Sequence, residues 1–352
     1  MTMINEIFVV GLALLFALVL IWSWRTLPEE RWQVLAVMPI RKNGGESWEG
    51  LNITYYGVFH ACSITLASLL VLVMLGSVGV EPLDTVLLMA PILSVCIPAS
   101  RIVARIVEGK PQTITVAGAT FVGLILTPWL TLAARQALGE RAADGLTVVT
   151  VLAAIATAYA FGEGLGRLAC ISYGCCYGKP LSQCPPLVRR LFRNHGFVFS
   201  GHTKKISYES GLAGTAVVPI QAITSVVCVG SGLAGLYLFL RGWFAVSAVT
   251  VLAITQLWRA FSETLRADYR GKGKLTAYQY MALAAVIYGL LIALAFPAPG
   301  TLNPTLMNGL AVLWSPWVLL ALQGLWFITL YNYGRSKVTG STVTFHVREN
   351  EI

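Results

Sequence analysis

The residues of this chain that could do chemistry are arginines and carboxylates set at helical spacing inside, or at the edge of, long apolar runs. Glu163 and Arg167 stand four apart where one run ends, and Arg259, Glu263 and Arg266 follow at i, i+4 and i+7 where another ends. Arg101 and Arg105 close a third, again four apart. Charges placed so deep are costly unless they are paired, and i,i+4 spacing suits an intrahelical ion pair. A guanidinium offers a planar fork of donors that matches phosphate oxygens. Arginines converging from three helices therefore read as a phosphate cluster fit for a phospholipid headgroup. Interfacial anchoring by snorkelling is the plainer reading, and it suits a lone arginine better than several with carboxylates at helical spacing.

The stretch 166–178, GRLACISYGCCYG, adds sulfur beside Arg167. Cys170, Cys175, Cys176 and Cys184 are spaced C-x4-C-C-x7-C, without the repeated C-x2–4-C pairs of a zinc site. No metal and no cofactor are expected. A disulfide, a thiol activated by nearby arginines, or packing stay open for this cluster, packing first. Cys62, Cys96 and Cys228 lie within apolar runs and read as small hydrophobes. Tyr56 and His60 are four apart and share one helical face.

The elements that must position these groups are membrane helices. The 352 residues are 56% hydrophobic and 12% charged, against roughly 25% charged in ordinary soluble domains. Nine runs are long enough, or nearly so, to cross a bilayer core of ~30 Å, near 7–24, 58–79, 85–100, 114–133, 146–165, 218–240, 243–263, 276–296 and 309–330. The third is short. The first lacks a basic leader and a small-residue cleavage site, so it reads as a retained helix. An all-α multi-pass membrane protein is expected. The formal net charge of +9 fits basic residues meeting anionic lipid; no motif supports nucleic acid as a partner. Ala117, Gly118, Ala119 and Gly123 line one helix and read as close packing. The segment 179–217 is polar, too poor in apolar residues for its own core, and reads as a head or lid over the helices. The tail 334–352 carries no assigned structure.

At these residues the chain resembles the bacterial prolipoprotein diacylglyceryl transferase family. The family signature G-R-x-G-N-F-x-N-G-E-x-x-G stands here as GRLACISYGCCYG, with Arg167, Gly174 and Gly178 matching. Its R-x-x-x-E-x-x-R segment stands as Arg259, Glu263 and Arg266, its P-T-Q as Pro219-Ile220-Gln221, and its Y-G as Tyr56-Gly57. Its G-R stands as Ser100-Arg101, and KLTAYQ is similar to the start of its last helix. The resemblance implies a seven-helix core over 50–296, with an extra helix in 1–49 and another in 297–352. It also implies an activity: moving the diacylglyceryl group of phosphatidylglycerol to the thiol of a prolipoprotein cysteine, with release of glycerol phosphate.

The departures bear on the acceptor side of that reaction. The family's loop histidine falls at Ala117, its asparagines at Cys170 and Tyr173, its glutamate at Cys175, and the histidine before P-T-Q at Val218. By this reading Arg167, Arg259, Arg266 and Arg101 grip the donor phosphate. Tyr56, Gly174, Gly178 and Gln221 complete the binding site. His60, Glu163 and Glu263 are candidate bases, and Cys175 is a candidate covalent relay. The expected function is phospholipid-dependent diacylglyceryl transfer to a prolipoprotein cysteine or to a different, cytosolic acceptor. Phosphoglycerol or phosphatidyl transfer, and lipid binding or transport without catalysis, are the alternatives. The connectors on the arginine side hold Arg25, Arg31, Arg41, Lys42, Lys110, Lys204, Lys205, Arg270, Lys272, Lys274, Arg335 and Lys337; those opposite hold only Arg135, Arg141 and Arg241. By the positive-inside rule this end faces the cytoplasm of a bacterial inner membrane, a reducing compartment that suits unpaired cysteines.

Overall fold

The computed structural model describes residues 3–109, 115–268, 275–297, 299–300 and 302–352. The calls on Lys110, Arg270, Lys272 and Lys274 lie outside the described residues. The chain opens with helix α1 (Met3–Thr26), followed by a hairpin of β1 (Val34–Lys42) and β2 (Ser47–Thr54). Three helices follow, α2 (Tyr55–Ser77), α3 (Pro82–Glu108) and α4 (Val116–Leu138), and then α5 (Val148–Tyr173). The polar head holds α6 (Pro186–Phe192), β3 (Phe197–Val198), α7 (Lys205–Ser210) and β4 (Ala216–Val217). The bundle resumes with α8 (Ile220–Leu240), α9 (Phe244–Ser262) and α10 (Ala277–Ala295), and the chain ends with α11 (Leu306–Val312), α12 (Pro316–Tyr333) and β5 (Arg335–Thr344). Among the described residues, eight helices are long and apolar enough to cross a membrane, and α11 with α12 make a ninth span bent by 71°. The protein is a mostly helical, multi-pass membrane protein.

Helix α5 is the axis of the bundle. Its apolar window is 78% buried, against 17% for α3, and it packs on α2, α4, α8 and α9. Small residues let the neighbours close in. Ser225 Oγ donates to the Gly164 carbonyl at 2.7 Å. A Cβ on Gly235 would lie 2.6 Å from Thr157 Oγ1 and 2.3 Å from Val251. The small residues of α4 do the same against α3, with Gly118 at Val103 and Gly123 at Cys96.

Two expectations change. Helix α3 is not short: it continues past Arg101 to Glu108 and stops at Gly109, whose φ of 68° forms a left-handed cap. Its end is tied to α10 by Tyr278 Oη donating to Glu108 at 2.8 Å. The tail is not without structure, because β5 pairs antiparallel with β2 in a sheet of order β1-β2-β5. Thr and Val make up half of β5 and suit a strand, and Asn52 joins Thr339 and Ser341 across the sheet. The segments flanking the core at both ends of the chain are thus knitted together through β2. The head has no separate large core, as its composition required: Phe197, Phe199, Ile206 and Val217 join the main core cluster.

Candidate active site

The ends of α5 and α9, the starts of α2 and α8 and the head meet at one end of the bundle. There Glu163 Oε1 accepts from Arg167, one turn further along α5, and from Arg259 Nη2 on α9 at 3.1 Å. Arg259 also donates to Tyr159 Oη, one turn before Glu163. The side chains of Arg167, Arg259 and Glu163 are 14%, 10% and 5% exposed. The carboxylate therefore offsets two buried cations that would otherwise face each other at a cost of several kcal/mol. Nε of Arg167 and Nε of Arg259 have no hydrogen-bond partner, so each guanidinium retains a donor for an anion.

Arg266 completes the group by a different route. The expected single stripe of Arg259, Glu263 and Arg266 is not what forms: α9 ends at Ser262, and Arg266 is extended, with φ of −86° and ψ of 150°. Its backbone pairs with Gly178 as an isolated bridge. Lys179 N donates to Leu265 O at 2.9 Å, and Ala267 N to Tyr177 O at 3.1 Å. The motif end reaches back and re-aims the end of α9, an ordering that helical periodicity does not encode. Arg266 Nε and Nη2 meet Asp268 Oδ1 and Oδ2 at 2.8 and 2.6 Å, and its Nη1 lies 3.5 Å from Glu263. Glu263 thus serves Arg266, while Arg259 takes its carboxylate from the other helix.

Arg167, Arg259, Arg266, Glu163, Glu263 and Tyr159 line one cavity of about 10 Å³, space for about one water. An anion of phosphate size enters only if these side chains part.

The glycines of the motif shape the backbone around this cavity. Gly174 caps α5 at φ of 73°, a left-handed position that favours glycine. A Cβ on Gly178 would lie 2.3 Å from the Val218 carbonyl oxygen. Gln221 is buried and its Nε2 donates to the Cys175 carbonyl at 2.9 Å, so it holds the turn after α5. Tyr56 and His60 stack at 5.8 Å, Tyr56 lies 5.5 Å from Tyr173, and His60 lies 4.5 Å from Tyr333 on α12. They form an aromatic row beside the cavity rather than part of its lining. Arg101 lies on an exposed face of α3 and does not line the cavity either.

Two features escaped the sequence reading. Tyr159 sits at i−4 from Glu163 on the face that carries Arg167, a spacing that could have found it. Lys204, counted as an interfacial loop cation, is fully buried. Its Nζ donates to the carbonyls of Ser172 at 2.7 Å and Leu27 at 3.0 Å, tying the end of α5 to the exit of α1. Burial lowers its pKa to about 7, against the opposing charges of Glu30 and Glu29. A neutral amine has two N–H donors, and two carbonyls receive them.

The sulfur atoms of Cys170, Cys175 and Cys176 all lie within 4.8 Å of one another, and no cysteine is in a disulfide. Hydrogen bonds from the Cys170 and Cys175 thiols hold Cys176 well below the usual thiol range, and the charges of Arg266 and Arg167 add to this.

A membrane-spanning bundle with a buried cluster of arginines and carboxylates at one end defines an integral membrane protein with a polar site at the end of its helices. The family model described as prolipoprotein diacylglyceryl transferase matches residues 47–295, and the chain belongs to this family of membrane transferases. No curated protein matches the chain.

Proposed function

We propose that the protein transfers the diacylglyceryl group of phosphatidylglycerol, or a related anionic phospholipid, to a thiol acceptor. The observation that carries this reading is the convergence of Arg167, Arg259 and Arg266 on one buried cavity, two of them with unused Nε donors. Membrane lipid enters sideways between helices, and its phosphate takes over the arginines now bridged by Glu163. In the transfer the acceptor sulfur loses its proton, bonds to the glyceryl carbon, and displaces the C–O bond to phosphate. Glycerol phosphate leaves with the electron pair. Charge grows on that departing oxygen, and fixed guanidinium donors in a site closed to water stabilise it.

The base is His60 rather than a carboxylate. Glu163 is committed to two arginines and Glu263 to Arg266, whereas His60 is half-buried in the aromatic row beside the cavity. Arg101 has the place of an outer contact for lipid headgroups. With labelled phosphatidylglycerol and purified protein, released glycerol phosphate and a labelled thiol acceptor are expected, and both are lost in Arg167→Ala. Labelled lipid held by the unaltered protein and held more weakly by Arg167→Ala, with no product from either, favours the lipid-binding reading; release of the phosphatidyl fragment favours the other bond.

The acceptor depends on which way the site faces. The Lys and Arg bias of the connectors supports a cytoplasmic face for this end in a bacterial inner membrane and with it a cytosolic acceptor, while an outward face favours the prolipoprotein cysteine. Cys184 is buried, its thiol donating to Pro180 O at 3.4 Å, and is a poor reporter. Leu187, 79% exposed on the head, is the place to introduce a thiol for side-specific labelling.

A further inference from the structure

Cys170 lies in the last turn of α5, Gly174 reverses the chain in a left-handed cap, and the Cys175 N–H returns to the Cys170 carbonyl at 3.1 Å. This fold-back carries Cys175 and Cys176 over the helix end and brings the three sulfurs within 4.8 Å of one another. Cys176 has a φ of 54°, and among the described residues it is the non-glycine that adopts a positive φ. A side chain held in that region is strained, and such strain gathers at functional sites. Gln221 holds the same turn through the Cys175 carbonyl, so the residues that keep the thiols together are themselves buried and fixed.

A zinc ion about 2.3 Å from each sulfur in tetrahedral geometry sets the sulfurs about 3.8 Å apart, within reach of this cluster by a contraction of less than about 1 Å. Three thiolates and one zinc ion carry a single net negative charge. Arg167 and Arg266 bear on Cys176, and Lys205 on Cys175 and Cys176, so the surroundings are positive and suit it. The C-x4-C-C spacing argued against zinc on the pattern of paired C-x2–4-C motifs. That pattern describes four-ligand structural sites, whereas an open site needs three protein ligands and keeps one position for substrate.

We propose that Cys170, Cys175 and Cys176 form a three-thiolate zinc site whose open fourth position binds the sulfur of a thiol acceptor. A thiol bound to the ion is held deprotonated, which supplies a nucleophile where the family's histidine position is Ala117. The acceptor half of this statement rests on the transfer reading above; the metal half does not.

The test uses the full chain purified in detergent, with zinc measured by elemental analysis and the zinc replaced by cobalt(II). The result expected is one zinc per chain and a sulfur-to-cobalt charge-transfer band. Zinc affinity should fall at least about 100-fold in Cys170→Ser, in Cys175→Ser and in Cys176→Ser, but not in Cys62→Ser. A short cysteine peptide added to the cobalt form should shift the visible spectrum, and its serine counterpart should not. Neither readout needs a phospholipid donor, so failure of lipid transfer leaves this result standing. Absence of bound zinc, a disulfide within the cluster, or zinc retained in the three variants would overturn the site. An unchanged cobalt spectrum with the cysteine peptide would overturn the acceptor role. The variants are compared at equal monodispersity and equal helix content by circular dichroism, so that a fold defect is seen as such.

Discussion

Helices α3 and α5 carry the same sequence signal and end in different environments. Each is a long apolar span closing at the same end of the bundle, and each bears an arginine there. In α5 the apolar window is 78% buried and Arg167 is locked to Glu163. In α3 it is 17% buried and Arg101 is exposed. The difference lies in the partners: α5 is wrapped by α2, α4, α8 and α9, while α3 packs chiefly on α4. A guanidinium closed off on every side must be answered by a carboxylate, whereas one at the rim is answered by water and headgroups.

The comparison breaks most readily at Glu163. Replacing it as Glu163→Gln leaves Arg167 and Arg259 together with no countercharge, and stability in micelles should fall by about 3–5 kcal/mol, read from thermal unfolding. Gly178→Ala should come next. Its Cβ, 2.3 Å from the Val218 carbonyl, must push the bridge to Arg266 aside. A misplacement of this size is expected to cut transfer about 100-fold while the bundle stays folded by circular dichroism. Lys204 sharpens the picture of the α5 end through pH. Its folded pKa of about 7 lies below the ordinary 10.5, so between those values the unfolded chain holds a proton that the folded chain lacks. Stability therefore rises with pH from about 7 to about 10.5, and Lys204→Met should flatten that slope in melting curves. Arg101→Ala should do least, a change within about 0.5 kcal/mol and a modest loss of affinity for anionic lipid in vesicle binding. A collapse of the Arg101 variant as deep as that of Glu163→Gln would erase the distinction between the two helices.

The membrane class, the nine apolar runs and the pair Glu163–Arg167 were legible because apolar length and i,i+4 spacing are local properties of one helix. Close packing at Gly118 and Gly123 was legible for the same reason. The third span was read too short because the charges of Arg101, Arg105 and Glu108 interrupt its apolar run, although the helix continues through them. The strand β5 was missed because its Thr, Ser and Val residues look like tail until β2 lies alongside.

What the sequence by itself determined is the set of helices, their membrane setting and the identity of the arginines, since hydrophobicity and periodicity act along the chain. What only the tertiary structure decided is who faces whom. Glu163 rather than Glu263 answers Arg259, Arg266 is turned by Gly178 instead of riding a helical stripe, Lys204 is buried, and three cysteines with no metal spacing share one small volume. Each of these is a contact between segments distant in sequence, or a reversal at a left-handed residue, and neither leaves a period for a linear pattern to show.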